Sequence, residues 1–253
     1  MASWGTKRRN LIITIFILMV SFAILIFSFL AFYQEPTCFD GKQNGDEQGI
    51  DCGGSCELLC STNTKEPVVH WQRFFEVSKG VYNVVAYVEN QNANAGARKV
   101  DYEFVLYDRT GFPITQKSGT VDIRPNQITP IIENNLNTGE LEVARVSFDF
   151  GEIEWFEQEP LENFVTIRRQ EILQVDGLPR VTATVHNNTN SALTNVRFVV
   201  ILYDREDNAL ATSNTLVRRL ERDGSQNIIF TWPISFKSEA TRFEIIPIYE
   251  LDS

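Results

Sequence analysis

The sequence predicts an all-β protein of two tandem β-sandwiches, preceded by a single transmembrane α-helix and a small disulfide-rich module. Three observations lead to this fold class. One long apolar segment lies near the N-terminus, all four cysteines follow it closely, and the rest of the chain alternates short apolar runs with turn-forming residues. Valine, isoleucine, tyrosine and phenylalanine recur in these runs with a period near two, which is typical of strands that bury one face.

The apolar segment, residues 11–32, contains no charged side chain. As a helix it would extend about 33 Å, enough to cross a hydrocarbon core of about 30 Å. The apolar core of a cleaved signal peptide is shorter, about 7–15 residues, and precedes a small-residue cleavage site that this sequence lacks. We therefore interpret the segment as an uncleaved anchor; the alternative, a long cleaved signal, would leave the same domains untethered.

The charges that flank the segment predict its orientation. Three basic residues at positions 7–9 precede it, whereas acidic residues follow it. Positively charged flanks remain in the cytoplasm. We therefore expect a cytoplasmic N-terminus at 1–10, a membrane helix at 11–33, and the bulk of the chain outside the cytoplasm, in a single-pass protein of the cell membrane.

The composition argues against two classes of function. A net charge of −10 opposes nucleic-acid binding, because that binding needs a basic surface. The two histidines, His70 and His186, lie far apart, and we find none of the common nucleophile, phosphate-loop, zinc-protease or dinucleotide motifs. We therefore expect no enzymatic activity; an enzyme with an unfamiliar site would need a buried cluster of carboxylates.

The four cysteines define a spacer at 34–64. They are Cys38, Cys52, Cys56 and Cys60. Disulfides persist outside the cytoplasm, so two bridges are expected, with three possible connectivities. The alternative is a zinc ion held by four thiolates, but zinc sites usually show C-x2-C or C-x4-C pairs and are favoured by reducing conditions.

The segment between the first two cysteines concentrates oxygen ligands. Against the calcium-loop pattern, Asp40 takes the first position, Asn44 the fifth and Asp51 the twelfth, and Asp46 adds a carboxylate. Lys42 stands where a carboxylate belongs, and an aspartate replaces the bidentate glutamate at the end. The alternative is a turn-rich disulfide knot with solvated acids. Calcium is therefore the one cofactor that we consider.

Residues 38–60 resemble short cysteine-rich spacers of the form DGxxNGxExGxDCGGxC, which occur on bacterial surface and secreted proteins. The resemblance implies an extracytoplasmic setting and no activity.

The β region contains an internal repeat. The run FVLYD in the first half matches VILYD in the second, and Tyr203 follows Tyr107 by 96 residues. A period near 100 residues fits one sandwich per repeat. We place the two sandwiches at 65–158 and 159–253.

The FVLYD run resembles the motif that names the FxLYD family, small β-sandwich modules of bacterial and archaeal extracytoplasmic proteins. In the second copy Val200 replaces the phenylalanine. The resemblance implies an immunoglobulin-like or fibronectin-like sandwich without catalysis.

The motif also has a physical interpretation. Leu106 should face one side of its strand and Tyr107 the other. The tyrosine hydroxyls should hold a neighbouring strand, and Asp108 and Asp204 should accept backbone N–H bonds in turns. We expect core and turn roles for these residues.

Asn187 begins an Asn-Asn-Thr glycosylation pattern in an expected loop, so it is a candidate for modification if the host performs that reaction. For the whole chain we expect a structural or protein-binding role in the cell envelope, with another envelope protein as the partner, because such domains bind through loops and exposed strand edges. The alternative is a calcium-dependent adhesion or carbohydrate-binding module.

Overall fold

The computed structural model describes residues 4–33, 35–160, 164–175, 178–236 and 238–249. Its residues form two compact units, Met1–Ser55 and Cys56–Ser253. The last residues of the expected cysteine spacer therefore belong with the β domains. Within this second unit, Leu58 forms an isolated β-bridge with Phe156 and the Leu59 N–H donates to the Trp155 carbonyl at 2.8 Å.

The first unit contains one helix, α1, from Trp4 to Phe32. Its segment Lys7–Phe32 is long and apolar enough to cross a membrane, and none of it is buried against protein. The Phe29 and Tyr33 rings stack at its C-terminal end with centroids 5.1 Å apart. The sequence prediction of one apolar N-terminal helix is confirmed.

The second unit consists of a short 3-10 turn and antiparallel strands. The turn spans Ser61–Asn63. The first set of strands is β1 Val68–Ser78, β2 Val81–Asn90, β3 Ala95–Tyr107, β4 Pro113–Ile123, β5 Gln127–Asn137, β6 Arg145–Phe150 and the short β7 Phe156–Glu157. The second set is β8 Val165–Val175, β9 Leu178–Asn187, β10 Leu193–Tyr203, β11 Ala209–Leu220, β12 Ser225–Thr231 and β13 Arg242–Ile248.

Each set of strands forms two sheets with the same order. The first set gives sheets β1-β2-β5 and β4-β3-β6, with β7 paired to the start of β3. The second set gives β8-β9-β12 and β11-β10-β13. Apart from β7, the second set repeats the first strand for strand, as the internal repeat predicts. Residues 161–163, beside the expected domain boundary, lie outside the described residues.

A separate apolar core fills each sandwich, because alternate side chains of facing sheets point inward. Phe104 and Leu106 lie in the first core, and Phe198 and Leu202 lie in the second; all four are fully buried. The fold class that the sequence predicts, a helix followed by β-sandwiches, is confirmed.

The two sandwiches also pack face to face. Val199, Ile201 and Tyr203 of β10 point away from their own core and lie against Trp71 and Tyr87 of the first domain. Further contacts in this cluster come from Phe75, Ile132, Ala209 and Ile248. Sheet β11-β10-β13 therefore packs on sheet β1-β2-β5, and β10 is buried on both faces. We call this contact the interdomain interface.

The outer faces at the two ends of this stack are polar. Thr184 occupies the position in β9, 97 residues later, that Tyr87 occupies in β2. On the other side, Glu103, Ser118 and Asp149 lie in register across the outer face of sheet β4-β3-β6. Packing of two sheet faces needs complementary apolar side chains, so the stack ends at these faces.

The interdomain interface predicts different costs for two equivalent substitutions. Ile201 is 0% exposed at the interface, whereas Val105, 96 residues earlier, is only half-buried on the outer face of β3. We expect Ile201→Ala to lower the free energy of unfolding by about 2–5 kcal/mol and Val105→Ala by about 1 kcal/mol or less. Urea unfolding of the detergent-solubilised chain, followed by tryptophan fluorescence, measures both. Equal losses would contradict the described interface.

Candidate functional site

The repeated motif residues have structural roles. The side chains of Leu106 and Leu202 lie in the two cores. The Ser147 hydroxyl donates to the Tyr107 hydroxyl at 3.4 Å, and the Tyr203 hydroxyl donates to a Glu244 carboxylate oxygen at 3.4 Å. Both contacts join the motif strand to its neighbour, as the sequence predicts. A guanidinium carbon lies 3.9 Å from each tyrosine ring centroid, from Arg145 and Arg242 respectively.

The two motif aspartates close turns. Asp108 Oδ1 accepts hydrogen bonds from the Thr110 hydroxyl and from backbone N–H groups. Asp204 Oδ1 accepts from the Asn208 N–H at 2.8 Å and from another backbone N–H. These bonds stabilise the ionised carboxyls and lower the pKa of both aspartates, chiefly through Thr110 and Asn208 respectively.

A polar cluster lies within the interdomain interface. The Tyr87 hydroxyl donates to Glu244 Oε2 at 3.0 Å, and the same oxygen accepts from Tyr203. The Trp71 ring stacks on the Tyr87 ring with centroids 5.1 Å apart. Burial is the main cause that raises the pKa of Tyr87 above its usual value and the pKa of Tyr203 to about 12, and the Glu244 charge adds to both shifts.

Two arginines of the first domain bond to the second domain. Arg73 donates to the Asn208 side-chain oxygen and to the Ala209 carbonyl, both at 3.3 Å. Arg124 is buried, donates to the Tyr249 carbonyl at 3.0 Å and lies over the Tyr249 ring. Arg73 lies in β1 and Arg124 lies in the turn after β4, so the two contacts together oppose rotation of one sandwich against the other.

A groove of about 830 Å³ lies beside the interface and is walled by both domains. Its volume is in the range of known ligand sites, about 300–1,000 Å³. Four segments line it: residues 72–77 of β1, 142–146 leading into β6, 209–212 of β11, and the loop after β12, together with Tyr82.

The groove combines aromatic surface with few charges. Phe74, Phe236 and the exposed Ile234 provide apolar contact area. Its described lining contains no histidine or cysteine. The sequence pattern did not predict this site, because the site exists only where two domains meet.

The cysteine module is cross-linked as expected. Its four cysteines form two disulfide bonds, and none is free. A disulfide sulfur carries no thiolate charge and is not a zinc ligand. The structure therefore excludes the four-thiolate alternative.

The expected calcium ligands hold turns of the module. Asp51 accepts hydrogen bonds from the Asp40 and Gly41 N–H groups at 3.0 and 2.9 Å. Asp40 Oδ2 accepts from the Asn44 side chain at 2.8 Å, and Asp46 Oδ1 accepts from a serine hydroxyl at 2.8 Å. Asn44 Oδ1 is buried without a hydrogen-bond partner among the described residues. Among the described residues, no three carboxylates of the module bring their oxygens within 4.8 Å of one another. Calcium binding stays a prediction.

The structure corrects the expectation for Asn187. This side chain is 0% exposed, and its Nδ2 donates to the carbonyls of Ser191, Leu220 and Glu221 at 2.8 to 3.1 Å. A glycan on Nδ2 would break this pattern, so the folded domain is incompatible with the modification. Asn90 performs the same role at the end of β2, and the repeat in the sequence was the signal that pointed to it.

No family model matches the chain, and no curated protein matches it. Among solved structures, red sea bream transglutaminase aligns with 75% of this chain at 8% identity and a TM-score of 0.24. The chain spans 32% of that protein's length. The N-terminal CBM22-1-CBM22-2 tandem domain of Paenibacillus barcinonensis Xyn10C aligns with 87% of this chain and 93% of its own length, at 8% identity and a TM-score of 0.16. Neither likeness bears on function at these TM-scores.

The interface tyrosines predict an alkaline loss of stability. Their folded-state pKa values are raised above the unfolded value of about 10, so their contribution is complete below pH 10 and is lost as pH rises through the folded pKa, about 12 for Tyr203. We expect the melting temperature to fall above about pH 10, and to fall less steeply in Tyr87→Phe and Tyr203→Phe. Tyr107→Phe, outside the interface, is the control. Identical slopes in all four chains would refute this role.

The calcium prediction is tested by thermal unfolding of the full chain in detergent. Binding to the folded module alone would raise its melting temperature with millimolar calcium, and Asp51→Asn would abolish that increase. Magnesium at the same concentration controls for ionic strength. If calcium does not shift the melting temperature, the calcium prediction is wrong and these acidic residues serve to stabilise the turns of the module.

Proposed function

We propose that the chain is a single-pass membrane protein without catalytic activity, which binds a protein ligand outside the cytoplasm through the groove between its two β domains. The groove carries this proposal. It has the volume of a ligand site, and its walls come from two domains whose relative position is held by a buried apolar interface and two arginines.

Three features support the extracytoplasmic orientation. α1 is a membrane-length apolar helix, and three basic residues at positions 7–9 precede its uncharged part, which favours a cytoplasmic N-terminus. The two disulfides favour an oxidising compartment for the module that follows.

The motif residues support membership of the FxLYD family and an immunoglobulin-like description of each sandwich. Leucines of the motif lie in the cores, tyrosines join neighbouring strands, and aspartates close turns. A repeated module needs these structural roles in each copy. Function then depends on the surfaces around the repeated framework.

The chemistry of the groove supports binding rather than catalysis. A catalytic site brings a nucleophile, a base or a metal together with a substrate pocket. Here Arg73 is bonded to the second domain and Arg145 lies on the Tyr107 ring. The groove then offers aromatic side chains, a strand edge and the exposed Glu76, which suit a polypeptide ligand.

Site-specific photo-crosslinking in native membranes tests the proposal. A photoreactive side chain at Ile234, exposed in the groove, should yield a discrete crosslinked protein band. The matched control is Ile229, which is similarly exposed on the outer face of β12. A band of equal strength from both positions, or from neither, would contradict binding in the groove.

A further inference from the structure

β1 has one unpaired edge with a regular stretch in its middle. Within the described chain, β1 is hydrogen-bonded to β2 alone. Irregularities interrupt this pairing between Val69 and Trp71 and again between Glu76 and Ser78, whereas residues 71–76 pair with β2 without interruption. Bulges blunt an edge against strand addition, so the unprotected part of this edge is the regular stretch between them.

The groove coincides with this stretch. Residues 72–77 all line it, and a run of consecutive lining residues means that the backbone and both side-chain directions of the strand border the cavity. Six residues of extended chain measure about 20 Å. The groove is therefore a trough that runs along an open strand edge.

We propose, building on the function proposed above, that the ligand is an extended polypeptide segment that adds a strand to β1. Its main chain would bond to the N–H and C=O groups of those alternate residues within 72–76 that point away from β2, which supplies affinity without sequence preference. Its side chains would alternate between two apolar surroundings. One contains Phe74 and Tyr82 of the first core, and the other contains Phe75 and Ala209 of the interdomain interface.

The surroundings of the edge favour a single inserted segment over a second copy of this chain. The groove continues the interdomain interface, because Phe75 and Ala209 belong to both. It is walled on its far sides by residues 142–146 and by the loop after β12. A second copy would have to fit the rest of its sheet, as well as its β1 strand, between these walls, whereas a single extended segment needs only the width of one strand.

The charges of the groove specify the ligand further. Both arginines in the lining are engaged, Arg73 with Asn208 and Arg145 with the Tyr107 ring. Of the two carboxylates in the lining, Glu142 pairs with Arg109, whereas Glu76 is exposed and forms no ion pair with any described residue. The segment that fits has apolar residues at successive positions and a lysine or arginine that faces Glu76.

Phage display of random linear twelve-residue peptides against the full chain in nanodiscs provides the probe. Panning against empty nanodiscs removes lipid binders, and the most enriched peptide is then synthesised and its Kd measured. We expect an apolar core with a basic residue. Glu76→Lys should weaken binding about tenfold or more. The control is Glu171→Lys, the same charge reversal at an exposed position on β8 outside the groove, which should have no effect.

Backbone methylation of the peptide distinguishes strand addition from other binding. Two methylated peptides are compared, one with N-methyl groups at two odd positions and one with them at two even positions. Only one of these sets of N–H groups faces β1, so methylation of that set should weaken binding about tenfold or more, and methylation of the other set should change binding little. Binding that depends on Glu76 but tolerates both methylated sets would overturn strand addition and keep the groove as the binding site. Failure to enrich any peptide, or self-association of the chain through β1, would overturn the inference.

Discussion

The burial of the outward face of β10 against the β1-β2-β5 sheet is the interaction on which the rest of this structure depends. Full burial of a valine or isoleucine side chain contributes about 1.5–3 kcal/mol, and Val199 and Ile201 are both completely buried there. Without this contact the two sandwiches would move independently, and the groove would lose the two lining segments that the second domain provides. Apolar burial provides most of the stability of this contact, and the hydrogen bonds of Tyr87 and Arg73 fix the orientation of one domain against the other. The proposed binding site is therefore a property of the pair of domains.

The two domains share one framework and differ in which outer face is apolar. The first domain presents Trp71 and Tyr87 on one sheet, and the second presents Val199 and Ile201 on the other. At the position equivalent to Tyr87 the second domain has Thr184, so it lacks an aromatic ring at that position with which to continue the stack. Each domain therefore has one apolar outer face, and these two faces pack against each other. The same packing exposes the edge of β1 beside a wall of the second domain.

Much of the fold could be predicted from local pattern. The apolar helix, the clustered cysteines and the period-two strands each follow from a few residues, and the roles of Leu106 and Asp108 follow from alternation and turn chemistry. The interface could not be predicted with the same ease, because it joins segments more than 100 residues apart, such as Tyr87 and Glu244. One signal was present. The run from Val199 to Tyr203 is continuously apolar, whereas the equivalent run in β3 begins with Glu103 in place of Val199. A continuously apolar run is typical of a strand buried on both faces.

The relative position of the two sandwiches tests the interdomain interface most directly. Spin labels on Ser118→Cys and Thr231→Cys, both exposed and in different domains, can be attached selectively because the native cysteines are disulfide-bonded. Pulsed electron–electron double resonance of the labelled chain in nanodiscs should give one narrow distance distribution, and adding Ile201→Asp should broaden it. A broad distribution in the chain with native Ile201, or one that the aspartate leaves unchanged, would contradict a fixed interdomain interface and the groove that depends on it.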